Sequence, residues 1–186
     1  MTTATRGVLG VVASAAGGVQ ALREGLVEPA LARGWRVAVT LTPTAGAWLR
    51  RMGEVEPLER LTGLPVRDQP RFPDQPRPHP PVDCYVVAPA SANTVAKLAS
   101  GIADNQALTQ VCEALGTPHL PVVVFPQVNA AHARHPAWPH HLDTLRRSHV
   151  RLIYGPAIWP LHEPREAPAE RELPWGAVLD AAERTA

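Results

Sequence analysis

Small hydroxyl and amide side chains recur in this sequence at one kind of place, after a short apolar run and before a stretch with helical spacing. Ser14 follows Val8-Leu9-Gly10-Val11-Val12, and Thr42 and Thr44 follow Val37-Ala38-Val39-Thr40-Leu41. Ser91, Asn93 and Thr94 follow Cys84-Tyr85-Val86-Val87-Ala88. Such side chains accept from the unpaired N–H groups of a helix's first turn. Those N–H groups, at the positive end of the helix dipole, also favour a phosphate. Any one of these residues alone reads as a helix cap. Three in register at the same sheet edge read as a phosphate cradle, one that contains no lysine.

Other constellations carry less chemistry. His132, His135, His140 and His141 fall within ten residues, but Pro136 and Pro139 break any common helical face and no cysteine or carboxylate pair accompanies them, so no metal site is expected. Lys97 falls in a helical stretch, where a solvated charge and a functional one are equally compatible with its position. A dinucleotide-binding turn is not supported: the first turn lacks Gly-Xaa-Gly-Xaa-Xaa-Gly, and no acidic residue ends the second apolar run to hold a ribose.

The elements that must position these residues alternate. Apolar runs at 8–12, 37–41, 84–88, 121–125 and 150–154 read as strands, most of them buried on both faces. Helical spacing runs from Val19 to Leu31, with Pro29 expected to kink or split it and Gly34 to stop it. Further helices are expected at 45–52, 94–101, 106–115, 137–148 and 175–184, the last presenting Trp175, Val178, Leu179 and Ala182 on one face. The stretch between Met52 and Cys84 reads as irregular. Together these predict one α/β domain over residues 1–186: a doubly wound, mostly parallel sheet in three layers, flavodoxin-like or Rossmann-like, with ligands at the carboxyl ends of its strands. The 21 prolines concentrate in two stretches, read as a Pro-rich loop at 68–81 and a Pro-rich segment at 156–174.

Composition narrows the function classes. A formal net charge of +1 with scattered basic residues gives no electrostatic footprint for nucleic acid or an anionic membrane, which leaves small ligands. The first residues lead straight into a strand-like run, and no apolar stretch is long enough to span a bilayer. Cys84 and Cys112, the two cysteines, sit in apolar patterns and read as buried core thiols. A cytoplasmic location is expected.

Pro89-Ala90-Ser91-Ala92-Asn93-Thr94, then Lys97, then Gly101-Ile102-Ala103-Asp104-Asn105 resembles the signature of the homo-oligomeric flavin-containing cysteine decarboxylases, which include the lantibiotic-peptide cysteine decarboxylases and phosphopantothenoylcysteine decarboxylase. The resemblance continues through Leu108-Thr109-Gln110-Val111-Cys112 and Pro126-Gln127-Val128-Asn129, in the same order along nearly the whole chain. It implies FMN as cofactor, with Ser14, Thr42 and Ser91 at the phosphate and ribityl chain and Thr44 in the same cradle. Pro89, Ala90, Ala92, Asn93 and Thr94 would belong to the flavin-binding loop, with Ala103, Asp104 and Asn105 near the cofactor or a neighbouring subunit. It further implies a trimer or a multiple of trimers. The implied activity is oxidative decarboxylation of a small-molecule thiol or of a peptide's carboxy-terminal cysteine, with FMN as hydride acceptor and Asn129 anchoring a carboxylate.

The sequence departs from that family at four points, one of them an extra residue in Asn105-Gln106-Ala107-Leu108-Thr109. A helix carrying the base histidine cannot form through the prolines of 68–81, where His79 is the only histidine and would take the catalytic base's role from a rebuilt loop. Val128 replaces the methionine of the substrate motif. No cysteine follows Cys112 to reduce an enethiol product. A flavin-binding redox or regulatory module without decarboxylase activity is the alternative these departures raise.

Overall fold

In the computed structural model, which describes residues 6–166 and 171–184, five strands form one sheet. They are β1 (Val8–Ala13), β2 (Arg36–Leu41), β3 (Cys84–Ala90), β4 (Val122–Pro126) and β5 (Arg151–Leu152). The order is β2-β1-β3-β4-β5 and every pairing is parallel, with Val11 opposite both Val39 and Val86 and Val86 opposite Val123. The flavodoxin-like α/β fold expected from the alternation is the fold observed.

Alternate residues of each strand feed two cores, as the two-residue period of a strand requires. Leu9, Val11 and Ala13, with Val86, Ala88 and Phe125, pack on one side against the segment from Val19 to Ala32 and against α8 (Trp175–Glu183). Val12, Val87 and Val124 pack on the other side against α4 (Ala92–Ala99), α5 (Gln106–Leu115) and α7 (Trp138–Arg147). Burial on both faces explains why the strands read as continuous apolar runs rather than alternating ones.

The first crossover is split, as Pro29 predicts. A 3-10 turn (Val19–Ala21) and a π-helical stretch (Arg23–Val27) precede the short α1 (Glu28–Ala32), in which Pro29 occupies the first turn, where no N–H is needed. Gly34 follows at φ 90°. After β2, α2 (Pro43–Arg51) starts on the Thr42 cap.

Two expectations are corrected and one element is added. The stretch after Met52 is not wholly irregular: α3 (Val55–Thr62) buries Val55 and Leu58 and stops at Gly63. Its Pro57 lies in the first turn, where proline is tolerated. One further helical turn, α6 (Ala130–Ala133), follows β4. Cys84 is buried as expected, but Cys112 is only half-buried.

Residues 68–81 form no helix, because the prolines remove donors and clash with preceding carbonyls. They cross the sheet as a loop, anchored where Arg67 pairs in parallel with Thr40 and where Arg50 meets the buried Asp68. Between this loop, the face of β1 and β2, and α5 lies a cavity of about 480 Å³. The described residues of the second Pro-rich segment, 156–166 and 171–174, form no helix or strand but bury Trp159 and Leu173 in the core. Among the described residues, no helix is long and apolar enough to cross a membrane.

Candidate functional site

At the carboxyl ends of β1, β2, β3 and β4 the chain encloses a cavity of about 1030 Å³. Ser14, Thr42, Thr44, Ser91, Ala92, Asn93 and Thr94 line it, together with Asp104, Asn105 and Asn129, so most of the residues singled out in the sequence meet there. Pro89 and Ala90 do not line it. They end β3, Ala90 with no exposed surface, and they carry the turn that presents Ser91. Ala103 is exposed outside the cavity, its carbonyl accepting from the Thr109 hydroxyl at 3.3 Å.

Ser14 plays a part its position did not reveal. Its hydroxyl donates to the Pro89 carbonyl at 2.8 Å and accepts the Ser91 N–H at 2.7 Å, while its own N–H also donates to Pro89 O at 3.0 Å. A hydroxyl has one proton to give. That proton is used here, so Ser14 ties the ends of β1 and β3 together and offers the cavity no further donor. The donors come from the backbone beyond it: among the described residues, no oxygen accepts from the N–H groups of Ala15, Gly17 and Gly18. Gly18 sits at φ 89°, and a Cβ there would run into the Leu173 side chain. Successive free N–H groups in such a turn form an anion-binding concavity.

Two helix starts add to it. Thr42 caps α2, accepting from Ala45 N at 3.4 Å, and Ser91 caps α4, accepting from Thr94 N at 3.3 Å. Both caps leave first-turn N–H groups facing outward at the positive ends of their dipoles. Three sources of backbone donors at one sheet edge, with no side-chain cation among them, fit a phosphate-bearing cofactor, and the cavity is large enough to hold more than a phosphate.

On the β4 side, Asn129 caps α6 through Oδ1, which accepts from His132 N at 2.9 Å. With Oδ1 committed, the amide NH₂ is the group left for a ligand, and it suits a carboxylate. Lys97, left open between two readings, lines the cavity and is paired with Asp104, whose carboxyl it holds below the ordinary range.

His79 is not brought to this cavity. It lines the smaller one, its Nε2 lying 2.7 Å from the Pro65 carbonyl, and burial, aided by the nearby Arg67 charge, lowers its pKa. Of the histidine cluster, His132 lines the large cavity, and no group of residues able to hold a metal occurs among the described residues. Sequence reasoning missed the wall supplied by the second Pro-rich segment. Trp159, His162 and Arg171 line the cavity, and the segment is pinned by Ala130 N–H donating to His162 O at 2.8 Å. No periodicity or motif marks those residues in advance.

Comparison with known proteins follows the same outline. The FMN-dependent cysteine decarboxylase TvaF of thioviridamide biosynthesis superposes with a TM-score of 0.68 at 25% identity, over 96% of each chain. The peptidyl-cysteine decarboxylase EpiD gives 0.61 at 26% identity, over 80% of this chain and 85% of that one. The coenzyme A biosynthesis bifunctional protein CoaBC of Escherichia coli K12 is 32% identical over 153 residues, 78% of this chain. A cysteine/cysteine sulfinic acid decarboxylase from an unknown prokaryotic organism is 39% identical over 71 residues, 38% of this chain. The chain spans 36% and 19% of the lengths of those two relatives. The Flavoprotein family model matches residues 6–184, everything from the first strand to the last helix, and the chain belongs to that family.

Proposed function

We propose that this chain binds FMN in the large cavity and uses it to decarboxylate a cysteinyl thiol oxidatively. The observation that carries the reading is that a backbone phosphate cradle and the Asn129 amide open into one cavity. The likeness to TvaF and EpiD supports it, and a flavin module without decarboxylase activity is not favoured. Bound FMN supplies a two-electron acceptor for the carbon that bears sulfur, which leaves the substrate with an electron sink for loss of carbon dioxide.

The remaining work falls to the chain. The turn from Ala15 to Gly18 and the first turns of α2 and α4 hold the phosphate, while the Ser14 tie fixes their spacing. The Asn129 amide donates to the substrate carboxylate and sets which bond faces the flavin. His79 lies away from this cavity in its own subunit, so a role for it as base requires an adjacent copy, within the trimer or multiple of trimers that we also propose.

The test begins with the visible spectrum of the purified protein and mass spectrometry of whatever heat releases. FMN release, followed by carbon dioxide from a peptide ending in cysteine, is the expected result. A colourless protein that refuses added FMN sinks the reading.

A further inference from the structure

The large cavity carries charge that neither the phosphate cradle nor Asn129 explains. Lys97 is neutralised by Asp104, and Glu163 is taken by a two-pronged pair with Arg134 at 2.5 and 2.8 Å. Arg165 and Arg171 also line the cavity, and among the described residues no carboxylate pairs with either. Arg165 is exposed. Arg171 is half-buried, its guanidinium carbon 3.2 Å from the centroid of the Trp159 ring. Trp159 is itself 6% exposed and stands edge-on to Phe125 of β4 at 5.7 Å, so the platform is rigid.

A guanidinium laid flat on an indole keeps its N–H edges free, and those edges match a carboxylate or phosphate in two-pronged geometry. Burial lowers the Arg171 pKa. The platform belongs to the β4 side of the cavity: Phe125 lies in the strand that leads into Asn129, and the arginine's own segment is tied beside Asn129 through Ala130 and His162.

We propose that Arg171, held on Trp159, is a receptor for a second anion on the substrate, distinct from the carboxylate that Asn129 anchors. The substrate class is then a cysteinyl compound bearing a carboxylate or phosphate several bonds from the thiol. This inference deepens the decarboxylase reading and rests on it for the identity of the substrate. The arginine's preference for an anion is testable without turnover.

The test uses tetrapeptides ending in S-methylcysteine, which cannot be oxidised at sulfur, with serine, aspartate, phosphoserine or lysine as the first residue. Each is titrated calorimetrically into the protein with and without FMN. FMN affinity is measured separately by flavin fluorescence for wild type, Arg171→Gln and Arg171→Lys. Expected are about tenfold tighter binding of the acidic peptides than of the serine peptide, loss of that gap to within about twofold in Arg171→Gln, and part of it kept in Arg171→Lys, which keeps the charge but not the fork. FMN affinity should stay within about twofold throughout. The aspartate and phosphoserine arms separate a carboxylate from a phosphate.

No gap in wild type, or a gap that survives Arg171→Gln, overturns the proposal. So does a tenfold loss of FMN affinity with the peptide preference intact, which assigns the arginine to the cofactor's phosphate. If FMN is not taken up, or unmethylated peptides release no carbon dioxide, the decarboxylase reading falls, while the flavin-free titrations still decide the arginine.

Discussion

The side chains at the cavity divide into those that hold the frame and those that face a ligand, and substitutions separate them. Ser14→Ala leaves the Ser91 N–H without its acceptor while Pro89 O keeps the Ser14 backbone donor. The expected cost is about 1–3 kcal/mol in urea denaturation with an unchanged slope, accompanied by weaker FMN binding as the Ser91 turn drifts. Asn129→Asp behaves in the opposite way. Aspartate caps a helix as well as asparagine, so the melting temperature should hold, but the donor we propose for the substrate carboxylate becomes a negative charge. Losing a hydrogen bond to a charged group is worth about 1.5–3 kcal/mol, so kcat/KM should fall about 10- to 100-fold. The positions of Ser14 and Asn129 were legible in the sequence because both follow strands in recognisable motifs. Their hydrogen-bond assignments were not, because which proton goes where depends on how the neighbouring strand end is placed.

At the level of elements, strands and most helices follow from apolar runs and caps, and the break in the first crossover follows from Pro29. What the sequence hid is of two kinds. Short helices such as α3 and α6 carry too few turns for a periodicity to stand out. The segment bearing Trp159 and Arg171 shows no periodicity, and its described residues are held by docking, Trp159 on Phe125 and His162 O on the Ala130 N–H, together with single local turns such as Trp159 N–H to Gly155 O. The packing of α8 on the first crossover gives a paired test. A methyl on Gly25 would overlap the Trp175 indole, so Gly25→Ala should destabilise by about 1–3 kcal/mol. A methyl on Gly176, in the first turn of α8, meets nothing within 4 Å, so Gly176→Ala should be stabilising by about 0.4–1 kcal/mol. Chemical denaturation of the two variants side by side checks both signs.

Across the whole molecule, the Pro-rich crossover stands where a helix would cover β1 and β2, and its one imidazole makes that cover sensitive to acid. The folded state lowers the His79 pKa from 6.5, chiefly by burial, so protonation favours the unfolded chain. The stability from a neutral His79 is therefore full above pH 6.5 and is lost as pH falls through the depressed folded value. Thermal melts should show wild type losing stability below pH 6.5 more steeply than His79→Gln, which titrates no imidazole there. The all-parallel sheet also has a consequence for biosynthesis. Of the five strands, β1 is made before the rest, yet neither strand beside it can be joined to it by a simple hairpin, and its β3 neighbour begins only at Cys84. A nascent chain therefore carries an unfinished apolar strand through much of its translation, and the Ser14–Ser91 tie closes only when that wait ends. Slowing elongation before Cys84 should lengthen the window in which chaperones engage the chain.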